Sequence, residues 1–65
     1  MNIWINGTQT ILEENCRLST LLVDLEISGR FAVEINGEIV PRNSFNSKVI
    51  SENDKVEIVK AIGGG

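Results

Sequence analysis

The C-terminal segment, Ala61-Ile62-Gly63-Gly64-Gly65, is the part of this 65-residue chain best suited to chemistry. Glycine loses more backbone entropy on ordering than any other residue, so Gly63–Gly65 are expected to form a mobile tail. Because glycine has no Cβ, the tail would pass through a cleft too narrow for other residues. We expect Gly65 to be the last residue, which makes its carboxylate a candidate chemical handle. The alternative is a frayed end or an expression remnant.

The rest of the chain offers little for catalysis. It has no histidine and one cysteine, Cys16, so neither an internal disulfide nor a Cys/His zinc cluster is expected. Only Arg17 lies beside Cys16 to lower its pKa, and we interpret Cys16 as a structural or incidental thiol. Glu13 and Glu14 lack a partner acid or base and indicate a solvated turn. An independent enzyme is therefore the least favoured class, and no metal or stably bound cofactor is expected.

Composition and charge indicate one small globular domain. The chain is 42% hydrophobic and 23% charged, with a net charge of −3, and its pI is about 4.7. Such an acidic surface disfavours nucleic acid and suits a basic surface on a protein partner. The N-terminus has neither a basic start nor a long apolar run, so no signal peptide or membrane span is predicted. We expect a cytoplasmic protein.

Hydrophobic periodicity predicts the elements that position the tail. Ile3 and Ile5 alternate with Asn2, Trp4 and Asn6, which predicts a strand with one apolar face, and the Asn6-Gly7 pair is a strong signal for a hairpin turn. A leucine stripe at i, i+3, i+4 and i+7 predicts a short helix. The strands are predicted at 2–6, 8–13, 32–36, 39–40 and 55–62, and the helical stripe comprises Leu18, Leu21, Leu22 and Leu25.

This order predicts an α+β fold, in which a mixed four- to five-stranded sheet packs one face on one main helix. The domain is predicted over 1–62, with the tail at 63–65. Periodicity leaves the order of the strands in the sheet open.

The open face of the sheet is a candidate docking surface. If Ile3 and Ile5 face the helix, Trp4 lies on the opposite face, and Val59 and Ala61 join it there. An exposed aromatic residue flanked by aliphatic ones is typical of a protein-binding patch. The alternative is that Trp4 packs against a neighbour or is a lone exposed apolar residue.

The whole chain resembles the small ubiquitin-like sulfur carriers. The resemblance rests on the Met1-to-Gly7 opening, the Leu18-Ser19-Thr20-Leu21-Leu22 helix, the segment 33–42 and the ending 54–65. Within this family the Asn-Gly-x-Ile-Val-Pro-Arg segment at 36–42 and the triple glycine look more like the ThiS-type thiamine-biosynthesis carriers than the molybdopterin carriers. Trp4 and Cys16 depart from the family pattern.

The resemblance implies a ubiquitin-like β-grasp fold and a function for the tail. An E1-like adenylating enzyme of the ThiF type would adenylate Gly65, using its own ATP and Mg²⁺, while Gly63 and Gly64 thread its cleft. A sulfur donor such as a cysteine desulfurase would supply the sulfur of a terminal thiocarboxylate. That sulfur would pass to thiazole synthase of the ThiG type.

Two other functions remain open at this point. The first is the small subunit of molybdopterin synthase, whose tail would insert into the active site of a large subunit. The second is a ubiquitin-like interaction module with an inert tail, binding through Trp4 and Val59. Which partner copurifies, and whether removal of Gly64-Gly65 abolishes function, would separate the three.

Overall fold

The computed structural model describes residues 1–61. Ile62 and the three tail glycines, with the predicted boundary between domain and tail, lie outside the described residues. The elements in chain order are β1 (Asn2–Ile5), β2 (Thr8–Ile11), α1 (Leu18–Asp24), β3 (Phe31–Ile35), β4 (Glu38–Ile39), a short 3-10 helix (Arg42–Ser44) and β5 (Lys55–Lys60).

The strands form one mixed five-stranded sheet in the order β2-β1-β5-β3-β4. β5 is the central strand: it runs parallel to β1 and antiparallel to β3, and β2 and β4 are the edges. The sequence predicted a mixed sheet with one helix, and that prediction is confirmed. The strand order, which periodicity left open, puts the C-terminal strand in the middle.

Two Asn-Gly pairs make the hairpin turns. At Asn6-Gly7 the φ angles are 47° and 83°, and at Asn36-Gly37 they are 54° and 85°. Two successive positive φ angles match the right-handed twist of the flanking strands, and asparagine and glycine adopt them at the least cost. Both predicted hairpins are therefore confirmed, and the asparagine of each turn hydrogen-bonds to β5.

The core lies between the helix and one face of the sheet. Its buried members come from α1, from β1, β3 and β5, and from the segment before β5; they are Ile3, Leu18, Leu21, Leu22, Val33, Ile35, Ile50, Val56 and Ile58. Alternate residues of β1, β3 and β5 supply this face, as a period of two requires.

The leucine stripe extends one residue beyond the helix. Leu18, Leu21 and Leu22 are buried as predicted, but Leu25 is 39% exposed. The helix ends at Asp24, and Glu26 turns the chain with a φ of 57°. The prediction that Leu25 continues the stripe of the helix is therefore wrong.

No helix within residues 1–61 is long and apolar enough to span a bilayer.

Candidate functional site

The strand that leads to the C-terminal glycines is fixed on both sides. β5 lies between β1 and β3, and beyond its last residue the Ala61 amide still donates a 3.0 Å hydrogen bond to the carbonyl of Arg30. Central strands are the least free to move. The end of β5 and Ala61 therefore form a fixed segment before the glycines, which we call the root of the tail.

The side chain of Asn6 continues the sheet where β1 stops. The Asn6 backbone amide donates to the carbonyl of Val56 at 2.9 Å. Its side-chain oxygen accepts from the Ile58 amide at 2.7 Å, and its Nδ2 donates to the Ile58 carbonyl at 3.2 Å. Asn6 thus forms the turn, and its side chain also hydrogen-bonds to the backbone N–H and C=O of Ile58, which lies past the end of β1.

We expect Asn6→Gly to lower the free energy of unfolding by about 1–2 kcal/mol, because two hydrogen bonds to Ile58 are lost. Glycine accepts the positive φ at this position, so the loss in free energy of unfolding would come from the missing side-chain amide and not from backbone strain. Urea denaturation measures it. The matched control is Asn53→Gly, at an exposed turn with a φ of 68°. An equal loss in both variants would contradict the role of the amide.

The start of β5 is fixed by a second polar cluster. Asn36 accepts a hydrogen bond from the Lys55 amide through Oδ1 and donates through Nδ2 to Asp54, each at 2.9 Å. Asp54, which is buried, also accepts from the Ser51 amide at 2.8 Å. A buried carboxylate is tolerated here because both of its oxygens are hydrogen-bonded. The asparagines of the two hairpin turns thus hold β5 from opposite sides.

The predicted docking residues are exposed but not contiguous. Trp4, Val59 and Ala61 are exposed, with Trp4 at 38%. Trp4 pairs with Lys55, whereas Val59 lies four residues further along β5. The exposed Glu57 lies between them on the same face. The open face therefore has two apolar regions with charge between them, and docking by these residues stays a prediction.

An aromatic cluster beside the root of the tail was not foreseen. The rings of Phe31 and Phe45 stack with centroids 5.9 Å apart. The Arg42 guanidinium lies 4.9 Å from the centre of the Phe31 ring and 5.8 Å from that of Phe45. Phe31 pairs with Lys60, the last residue of β5. Arg42 and Phe45 are three residues apart, but Phe31 comes from a separate strand, so no local pattern signals the whole cation–π cluster.

Cys16 has the environment of an unreactive thiol. It is half-buried in the segment before α1, and its carbonyl accepts a 2.9 Å hydrogen bond from Ile50. Burial raises the pKa of the Cys16 thiol, and the negative charges of Asp24 and Glu13 raise it further. A raised pKa lowers the thiolate fraction at neutral pH and with it the reactivity. Within residues 1–61, no group of three or more Cys, Asp or Glu side chains is placed to hold a metal ion.

If the chain carries sulfur, as its resemblance to the sulfur carriers implies, Cys16→Ser should leave the loading of sulfur unchanged. Because its pKa is raised, wild-type Cys16 should also react with iodoacetamide more slowly than a model peptide thiol at neutral pH, and the rate should rise as the pH approaches that raised pKa. Intact-mass spectrometry measures both. Loss of loading in Cys16→Ser, with the melting temperature unchanged, would instead make Cys16 a sulfur-bearing residue.

Comparison with known proteins identifies the family of this chain. The sequence model of the ThiS family matches residues 3–65. The chain belongs to the ThiS family. It aligns over its full length with the crystal structure of the thiamine biosynthesis protein ThiS from Geobacter metallireducens, at 30% identity with a TM-score of 0.86, and it covers 100% of that chain.

Two curated relatives differ in length. The protein named ycf40 of Porphyra purpurea is 41% identical over 66 aligned positions, which cover all of this chain and 93% of the relative. A thiazole synthase of Paramagnetospirillum magneticum is 39% identical over 66 positions, yet this chain spans only 20% of it. A ThiS-like segment thus occurs both as a small protein and as one-fifth of a much larger one.

The family membership confirms the resemblance read from the sequence. The five-stranded sheet with its single helix is the ubiquitin-like β-grasp fold of the ThiS structures, and the chain is assigned to the sulfur carriers of thiamine biosynthesis.

Proposed function

We propose that this ThiS-family chain carries sulfur as a thiocarboxylate on Gly65 for assembly of the thiazole of thiamine. The observation that carries the proposal is the way the strand before the glycines is held. The match to the ThiS family includes the three glycines, and the central strand that leads to them is held by backbone and side-chain hydrogen bonds on both sides. The chain is then a protein substrate, acting in the cytoplasm, and not itself an enzyme.

A carboxylate needs activation before it accepts sulfur, because its negative charge repels nucleophiles and oxide is a poor leaving group. An E1-like enzyme joins the Gly65 carboxylate to the α-phosphate of ATP, with Mg²⁺ offsetting phosphate charge, and pyrophosphate leaves. Sulfide then adds to the acyl carbon; the C–S bond forms, the bond to AMP breaks, and a thiocarboxylate results. A persulfide from a cysteine desulfurase would give an acyl disulfide, which a thiol must reduce.

Thiazole synthase is the proposed acceptor of the sulfur. A segment similar to this chain forms one-fifth of the thiazole synthases of Paramagnetospirillum magneticum and Magnetococcus marinus. Joining a carrier to its acceptor in one polypeptide raises the effective concentration of each for the other. We therefore propose that this chain and a thiazole synthase act as a pair.

Intact-mass spectrometry of the purified chain tests the proposal. After incubation with an E1-like enzyme, ATP, Mg²⁺ and a sulfur donor, the mass should rise by the difference between one sulfur and one oxygen. Fragmentation should place the change on Gly65. A chain lacking Gly64-Gly65 is the control and should not change.

Two results would contradict the proposal. If the complete reaction leaves the mass of the wild-type chain unchanged, the tail is not a sulfur carrier. If the thiocarboxylate forms but is consumed by a molybdopterin synthase large subunit and not by thiazole synthase, the proposed acceptor of the sulfur is wrong.

A further inference from the structure

The open face of the sheet sets two glutamates directly opposite each other. Glu34 on β3 pairs with Glu57 on β5. Residues paired in this way have Cα atoms about 5 Å apart, and like charges there destabilise the sheet. Glu34 is half-buried and Glu57 is exposed. Neither side chain belongs to the core, so the packing of the domain does not require a carboxylate at either position.

One nearby cation balances only part of this charge. Lys55 lies two residues before Glu57 on β5 and lines a shallow depression together with Glu34, Glu57, Asn36 and Gly37. Two carboxylates therefore face one ammonium group, which leaves one negative charge on this part of the face.

Exposed apolar side chains surround the glutamate pair on three sides. Trp4 and Glu57 line one small depression on the β1 side. Val59 is the next residue of β5 on the same face, and Ile39 on β4 pairs with Glu34. Ile39 is 72% exposed and Val59 58% exposed. A charged centre within an apolar border is typical of a protein interface whose partner supplies the opposite charge.

We propose that the adenylating enzyme docks on this face and inserts an arginine between Glu34 and Glu57. This inference rests on the proposed function. Gly65 is the fourth residue after Ala61, which gives it a reach of at most about 14 Å from Ala61. An enzyme that binds the Gly65 carboxylate must therefore lie close to the Val59 end of the face. Arginine is the expected cation because its planar guanidinium presents several donors and bridges two carboxylates.

The test separates binding from stability, because the two should change in opposite directions. In the double variant Glu34→Gln/Glu57→Gln, relief of repulsion should raise the urea midpoint. The loss of the arginine's partners should raise the dissociation constant for the adenylating enzyme, and the KM for the carrier, by about tenfold. The kcat of adenylation should be unchanged. Wild-type binding should also weaken with added salt more steeply than binding of the variant.

Glu38→Gln is the matched control. Glu38 lies on the neighbouring strand β4 but pairs with the buried Ile35, so it faces the other side of the sheet, and its replacement changes the net charge by one unit. The single variant Glu57→Gln makes the same unit change within the pair. Its dissociation constant should rise above that of Glu38→Gln.

The inference and the proposed function fail in different ways. If the wild-type chain is not adenylated, both the proposed function and this docking model are wrong. If the wild-type chain is adenylated but the glutamine variants bind as tightly as Glu38→Gln, the arginine bridge alone is wrong. A lower urea midpoint in the double variant would show that the carboxylates stabilise the free domain, which also overturns the inference.

Discussion

Gly64→Val is expected to abolish adenylation of the chain while leaving its folding intact. The proposed reaction requires Gly65 to reach the ATP of a partner through a cleft, and a β-branched side chain at the preceding position both widens the peptide and restricts its backbone. A misplacement of about 1 Å at a reacting centre costs on the order of a hundredfold in rate. We therefore expect ATP–pyrophosphate exchange with the variant to fall by at least about that factor.

The control for Gly64→Val is Thr20→Val, which introduces the same side chain at an exposed position of α1, away from the tail. Both variants should melt at the wild-type temperature, and Thr20→Val should also be adenylated at the wild-type rate. Exchange by Gly64→Val at the wild-type rate would show that the glycines are not needed for passage. Equal loss in both variants would point to a general effect of substitution.

The sequence predicts those parts of the fold that local chemistry determines. Each Asn-Gly pair specifies a turn because few residue pairs accept two positive φ angles, and the alternation around Ile3 specifies which face of β1 is buried. Strand boundaries were less certain. The second strand was predicted to reach residue 13 but ends at Ile11, since pairing with β1 ends at Asn2. Periodicity does not predict that β5 is the central strand, because this position depends on contacts between distant segments.

Side-chain contacts of the candidate site were the hardest to predict. Asn6 was recognised as a turn residue, yet its side chain binds Ile58, 52 positions away. The opposition of Glu34 and Glu57 likewise exists only once the register between β3 and β5 is known. A shift of one residue would move every side chain of a strand to the other face. The type of chemistry could thus be predicted from the terminal residues, while the surface that presents them required the sheet.

Leu18→Ala should have the largest effect on stability of any change considered for this chain. Leu18 is fully buried in the core between α1 and the sheet. Replacing a buried leucine by alanine costs about 2–5 kcal/mol, since both transfer energy and packing are lost. A domain of 65 residues has a stability of roughly 3–10 kcal/mol, so the substitution should remove a large share of it and lower the melting temperature. Urea denaturation followed by circular dichroism measures the change.

Leu25→Ala is the matched control, because it removes the same atoms from the same leucine stripe. Leu25 is 39% exposed and lies just past the end of α1, so its loss should be below about 1 kcal/mol. Equal losses in the two variants would mean that the helix continues and buries Leu25. The distinction also bears on function, since a carrier that is partly unfolded loses the fixed root of its tail. At temperatures that partly unfold Leu18→Ala but not Leu25→Ala, Leu18→Ala should therefore be the poorer substrate for adenylation, although neither leucine lies near the tail in sequence.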